Sequence, residues 1–322
     1  MRKNLIRFDE FLNDYLYGPD GYYTGYKTGT DYSTLVEVSP PFSKFIAAFT
    51  EKLILKNSLS NACIADLGAG SGRLSAAIAS LNKYPVFAVE ISEAKRKSIE
   101  ENFNHLKNLR TASSLSAIEN FPTAIIIAHE FFDALPVRVF RKHKSDLKEL
   151  YFCLNERKSV YRNPEDIPEY ARKFASLVPD GTVFEFSELY EETVKTIAAI
   201  ERAVVIVIDY GFSLAEIERL RRGTLRGFSD NLLIDDIESL ISGSIRMDIT
   251  HSVNFTILNW IFESYRFEKS LSVSLGRFVA ENLLEQRKIM SAEEERELLK
   301  ALLPHRFGDS FHTVIYTKNA II

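Results

Sequence analysis

Apolar side chains at positions 8, 11, 12, 15 and 16 recur at helical spacing until Gly18-Pro19-Asp20-Gly21 breaks them, which predicts an amphipathic helix over Phe8–Tyr17. A stretch rich in Gly, Thr, Tyr and Ser runs from Tyr22 to Ser39. Pro40-Pro41 then precede a second helical spacing at Phe42, Phe45, Ile46 and Phe49. Beyond residue 60, short apolar runs alternate with helical stretches: Cys63–Leu67, Leu74–Leu81, Pro85–Val89, Ala94–Leu106 and Ala124–Ala128. Such alternation predicts an α/β fold, a parallel sheet with crossover helices. Val137–Phe140 and Leu150–Leu154 flank a charged linker and suit a hairpin, whereas Pro164, Pro168 and Pro179 punctuate a weakly patterned stretch. Val204–Ile208 reads as a further buried strand, Phe255–Phe262 as a helix and Phe311–Thr317 as the closing strand. The expectation is a mostly parallel, seven-stranded sheet in residues 61–322, with an N-terminal helical lid over 1–60 and an insertion at about 213–252.

A chain of 322 residues is too long for a miniprotein and long enough for one large domain or a core with an insertion. Lys plus Arg number 40 against 44 Asp plus Glu, a net charge of −4, so no global positive field exists to hold nucleic acid or an anionic membrane. Cys63 and Cys153 stand apart without a spaced His partner, which supports neither a disulfide framework nor a structural metal site. Asp9, Glu10 and Asp14 interrupt the first apolar positions, so no signal-peptide core is expected. The apolar runs fall well short of the roughly 20 residues that span a bilayer. A protein of the reducing cytoplasm, without membrane insertion, is the expectation.

Asp66-Leu67-Gly68-Ala69-Gly70-Ser71-Gly72 follows a predicted strand and opens a predicted helix. Glycines there let the backbone turn sharply and approach a ligand with no Cβ in the way. A dinucleotide fingerprint needs a further glycine at position 73, where Arg73 stands, and a Walker lysine is absent. The spacing resembles the first motif of class I S-adenosylmethionine-dependent methyltransferases. That cofactor carries a sulfonium and an amino group but no phosphate, so an acidic Asp66 beside the turn attracts it and would repel a pyrophosphate. Glu90 closes the next strand, Val86–Glu90, about 20 residues on, where a carboxylate can accept both ribose hydroxyls. Gly68, Ala69, Gly70, Gly72, Asp66 and Glu90 are therefore the candidate cofactor residues. Asp31 and Glu37, in the glycine-rich N-terminal loop, either close over the cofactor or are solvated loop charges.

His129-Glu130-Phe131-Phe132-Asp133-Ala134-Leu135-Pro136 follows the Ala124–Ala128 strand and places two carboxylates at the carboxyl edge, where open α/β sheets bind ligands. Taken alone, Glu130 and Asp133 also suit a helix start and its cap. If a helical turn begins after Ala128, the two carboxylates share one face. His129 has no second ligand spaced with it, so a packed or solvated histidine is expected and no metal site.

On these residues the chain resembles the MidA-like (DUF185-type) class I methyltransferases, and the likeness runs over almost its whole length. Gly21-Tyr22-Tyr23, Gly29–Thr34 and Glu37–Pro40 are similar to the family's opening segment. The glycine loop, Glu90-Ile91-Ser92 and Glu130–Pro136 follow in its order. Asp209-Tyr210-Gly211, Thr224–Phe228, Asp248-Ile249-Thr250 and Gly308–Phe311 resemble its later signatures. His129 stands where the family has Asn, Ser229-Asp230-Asn231 lacks a usual histidine, and Asn254 replaces a frequent Asp. The resemblance implies a Rossmann-like fold, S-adenosyl-L-methionine as cofactor, and a protein arginine as methyl acceptor, in characterised relatives an arginine of a respiratory complex I subunit. A guanidinium stays charged, so carboxylates must neutralise and aim it; Glu130, Asp133 and Asp209 are the candidates. Two alternatives remain: a non-catalytic assembly factor that binds the cofactor, and an NAD-dependent oxidoreductase.

Overall fold

The computed structural model describes residues 5–24, 34–57, 61–229, 232–241, 247–286 and 289–322. The chain divides into two compact units. The larger comprises Ser33–Phe132, Thr193–Tyr210 and Phe262–Ile322, and the smaller Met1–Tyr32, Asp133–Glu192 and Gly211–Ile261.

The larger unit is built on a sheet whose strands run in the order Glu268–Ser274, Phe311–Lys318, Arg202–Phe212, Thr123–His129, Ala62–Leu67, Val86–Val89, Leu109–Ala112. Phe311–Lys318 alone on this path is antiparallel to its neighbours. The sheet is mostly parallel, as expected, with seven strands on this path. An eighth, Val253–Asn254, pairs with Gly211–Phe212, residues counted with the smaller unit. Ala62–Leu67 and Thr123–His129 are buried at every position, as mostly apolar central strands covered on both faces are. One core packs Ile64, Ile125, Ile127, Val204 and Ile206 with Phe42, Phe45 and Phe49 of the Pro40–Lys56 helix. The chain passes from Ala62–Leu67 outward to Val86–Val89 and Leu109–Ala112, then returns to lay Thr123–His129 on the other side of Ala62–Leu67. That reversal is a topological switch point, and the crevice beyond it is where such sheets take ligands.

In the smaller unit, Arg138–His143 and Asp146–Cys153 form the expected hairpin, and Leu5–Arg7, Lys158–Arg162 and Val183–Phe186 complete an antiparallel sheet. Phe8, Leu12 and Leu16 of the Phe8–Tyr17 helix pack with Val137, Val139, Leu150 and Phe152. A second sheet joins Leu232–Ile234, Arg226–Ser229 and Asp248–Thr250. Of the N-terminal stretch, the described residues 5–24 count with this unit and 34–57 with the larger. Strands of Asp133–Glu192 and of Gly211–Ile261 both belong to the smaller unit and share its apolar cluster.

Candidate active site

Gly68, Gly70 and Gly72 all take positive φ, at 68°, 56° and 77°, so the turn after Ala62–Leu67 uses three left-handed positions in five residues. Only glycine visits that region without steric cost. The amides of Gly68 and Ala69 both donate to the Val89 carbonyl, at 2.8 and 3.1 Å, which ties the turn to the end of the next strand. A Cβ on Gly72 would lie 2.6 Å from Ile99 Cγ1, whereas one on Gly70 would meet only the Gly68 carbonyl oxygen, at 3.8 Å. Gly72 is therefore filled by packing, and Gly70 faces open space.

Glu90 reaches back over this turn. Its Oε2 accepts from Gly70 N–H and its Oε1 from Ser92 N–H, each at 2.9 Å. Asp66 is buried behind the turn, where Oδ2 accepts from Ser75 Oγ at 2.6 Å. Burial pushes its carboxyl up to about 7, against the pull of the Ser75 hydrogen bonds. Glu37, on the short Leu35–Val38 helix, accepts from the Ser71 hydroxyl and lies 3.1 Å from Arg73 Nε. The structure thus brings Glu37, Asp66 and Glu90 to one glycine turn. Asp31 lies outside the described residues. Ser71, Arg73 and Ser75 were missed from sequence. Ser75 had a signal, since it sits in the first turn of the helix that the glycines open, and Arg73 was noticed only as the glycine it is not.

Glu130 has φ of 50°, and the 3₁₀ turn that follows starts at Phe132. The expected helical turn with Glu130 and Asp133 on one face is therefore not formed. A left-handed glutamate leaves the strand direction abruptly. Its N–H donates to the Ile208 carbonyl at 3.0 Å and its Oε1 accepts from Leu35 N–H at 3.1 Å. Asp209, fully buried, accepts from Phe132 N–H at 2.9 Å. Glu130 and Asp209 thus each follow the last paired residue, His129 or Ile208, of two adjacent parallel strands. The Phe131 ring packs on the cofactor turn, its Cδ2 3.2 Å from where a Gly68 Cβ would be. Asp133 counts with the smaller unit, where Thr250 Oγ1 donates to its carboxylate at 3.2 Å and His251 N–H to its carbonyl, also at 3.2 Å. His251 is itself buried, its Nε2 2.7 Å from Tyr190 Oη, and burial lowers its pKa to about 3.

The turn suits a cationic, phosphate-free nucleoside. Glu37 and Glu90 would repel a pyrophosphate, and the nearby Arg73 is engaged by Glu37. Each Glu90 oxygen holds one amide and keeps a lone pair for a ribose hydroxyl. Among the described residues no group of three or more His, Cys, Asp or Glu side chains could hold a metal ion, and no helix is long and apolar enough to cross a membrane.

Two crystal structures of COG1565 superfamily proteins from Burkholderia thailandensis share this fold. One holds S-adenosyl-homocysteine and superposes with a TM-score of 0.79; the other is a native structure with 0.80. Each is 20% identical to this chain and covers 98% of it and 88% of its own length. No curated protein matches the sequence. Residues 46–270, well over half of the chain, match the model of the family described as "Putative S-adenosyl-L-methionine-dependent methyltransferase", and so the chain belongs to that family, a Rossmann-like class I fold whose methyl donor is S-adenosyl-L-methionine.

Proposed function

We propose that the protein methylates an arginine side chain of another protein, with Glu130 and Asp209 on the acceptor side. The observation that carries this reading is the contact of the Glu130-Phe131 corner with the glycine turn, Phe131 lying against Gly68. A carboxylate at that corner supports the reading, because a cofactor held at the turn would present its methyl group nearby. The bound cofactor supplies an electrophilic methyl on a sulfonium, which leaves as a neutral thioether when the methyl moves. The chain must then hold a cation beside a cation, and only negative side chains make that tolerable. Glu130 and Asp209 are two such groups, one just past the Thr123–His129 strand and one on the strand beside it, and the Phe131 and Phe132 rings, 5.2 Å apart, add apolar surface to that corner. The guanidinium nitrogen that gains the methyl gives up one proton to a facing carboxylate as the sulfur–methyl bond breaks; positioning supplies most of the rate, and no metal or protein nucleophile is required. Asp133 enters through its motif, held by Thr250. Glu37, and Asp31 before it, are proposed to close over the cofactor. The acceptor to try first is the complex I subunit that the resemblance implies.

The test is transfer from tritiated S-adenosylmethionine to that subunit or to lysate protein, followed by hydrolysis and separation of methylated amino acids. Label in methylarginine is expected, and label in another residue overturns the arginine reading. Asp133→Asn keeps shape and removes charge; it is expected to lose most turnover with nearly unchanged cofactor affinity. Loss of cofactor binding with turnover kept at saturation would move Asp133 to the cofactor pocket.

A second reading has an observation of its own. Glu130 and Asp209 both hold backbone amides, Leu35 N–H and Phe132 N–H, which is architectural work that a non-catalytic assembly factor would also need. A scaffold labels no protein in the same assay.

A further inference from the structure

His129 ends the central strand with its side chain 5% exposed. Its ring lies between Phe42 and Phe311, with centroids 5.2 and 6.2 Å away and the latter ring parallel to within 2°. Burial lowers its pKa to about 3, so the imidazole is neutral through the physiological range. Its Nε2 is buried and makes no hydrogen bond, yet it lies 3.4 Å from Oε1 of Glu130. The contact is therefore between a neutral ring and a carboxylate and is not an ion pair. An orphaned polar atom in an aromatic slot costs free energy unless some state of the protein uses it. Of the two neutral tautomers, the one protonated at Nε2 aims a donor at the carboxylate, and the other aims a lone pair at it.

Resting on the reading that Glu130 faces the cationic acceptor, we infer that His129 is a positioning residue whose Nε2–H closes onto Glu130 Oε1 and fixes the carboxylate plane for methyl transfer. The geometry leaves little to do. The Glu130 backbone is pinned to Ile208, and Oε1 already receives Leu35 N–H. A small turn of the carboxylate brings the second donor into range, and such contacts tighten when an acceptor binds. The proton stays on Nε2 throughout, so His129 orients Glu130 and does not carry charge.

Three proteins decide this: wild type, His129→Leu, which keeps an apolar filling, and His129→Gln, which restores an amide donor near Nε2. Tritiated S-adenosylmethionine with lysate protein as acceptor reads transfer, and calorimetry with S-adenosylhomocysteine reads the cofactor side. We expect His129→Leu to lose about tenfold or more in transfer with cofactor affinity within about twofold, and His129→Gln to recover most of the loss. Equal transfer by His129→Leu, or no recovery by His129→Gln, overturns the inference. Nitrogen NMR of histidine-labelled wild type is independent of both variants' folding: a protonated Nε2 is expected, and an unprotonated one overturns the inference. Label found on a residue other than arginine would sink the arginine reading and leave His129 standing, whereas a wild type that labels nothing removes both.

Discussion

Replacing Gly72 with alanine separates two costs that the structure places on one residue. At φ of 77° a Cβ is in the left-handed region, which costs about 1–2 kcal/mol. It would also sit 2.6 Å from Ile99 Cγ1 and 3.1 Å from both Cδ1 and Cγ2 of the same side chain. Ile99 is 1% exposed and cannot swing into solvent, so overpacking adds roughly 1–3 kcal/mol. Gly72→Ala is expected to destabilise the larger unit by about 2–5 kcal/mol. In an Ile99→Ala background the clash is gone, and only the backbone cost of about 1–2 kcal/mol should remain. The single tryptophan, Trp260, belongs to the smaller unit and does not report on this turn. Hydrogen exchange of the amides of Ala62–Leu67 and Arg73–Leu81, measured for wild type, both single variants and the double variant, does. An alanine penalty equal in the two backgrounds would refute the packing argument, and one below about 1 kcal/mol would refute both terms.

Gly70→Ala offers the contrast: with no protein atom nearer than 3.8 Å, it should cost about 1–2 kcal/mol of stability but lose S-adenosylhomocysteine by about tenfold or more in calorimetry. Glu90→Ala is expected to lose a similar factor of affinity, and full retention would remove Glu90 from the ribose. Burial holds the Asp66 carboxyl near 7 in the folded chain against roughly 3.9 unfolded. Between those values the folded state binds the extra proton, so Asp66 makes stability fall as pH rises from about 4 to about 7 and level off above. Asp66→Asn should flatten that slope in exchange-derived stability, and an unchanged slope would refute the assignment. In the smaller unit Arg138, fully buried, makes two hydrogen bonds to the equally buried Glu149 at 2.7 and 3.0 Å. Arg138→Met should therefore cost about 3–5 kcal/mol, read by Trp260 fluorescence in urea, and adding Glu149→Leu should recover much of it.

Elements that bury a regular stripe were legible. Phe8–Tyr17 came out with its bounds intact because Phe8, Leu12 and Leu16 repeat at four-residue spacing. The stretch after Leu154 was not. Its prolines only punctuate a weakly patterned stretch of sequence, whereas in the fold Pro168 precedes and Pro179 closely follows a helix, Glu169–Leu177, as proline does at helix ends. That helix buries Ala171, Phe174 and Ala175 at helical spacing, but two of the three are alanines, which give the stripe little apolar contrast. Glu268–Ser274 escaped for a different reason. It is the edge strand of its sheet and no residue of it is fully buried, so no apolar run marks it.

The two sides of the active site were legible to different degrees, and backbone chemistry accounts for the gap. On the cofactor side the requirement is local. Positive φ at three positions demands glycine, and a carboxylate that must reach the turn from the next strand falls at Glu90, one residue beyond Val89, whose carbonyl holds the turn. Residue type and spacing both carry that information. On the proposed acceptor side they do not. A left-handed Glu130 is held by contacts from Ile208 and Leu35, 78 and 95 positions away in the chain, and nothing in the letter glutamate announces it. Asp209 holds Phe132 N–H across 77 positions. The same separation explains why no helical spacing joins Glu130 to Asp133: the 3₁₀ turn starts only at Phe132, after one residue of inverted backbone. Carboxylates proposed to orient an acceptor are arranged by contacts distant in sequence, so a motif can name them, whereas their partners are read only from the fold.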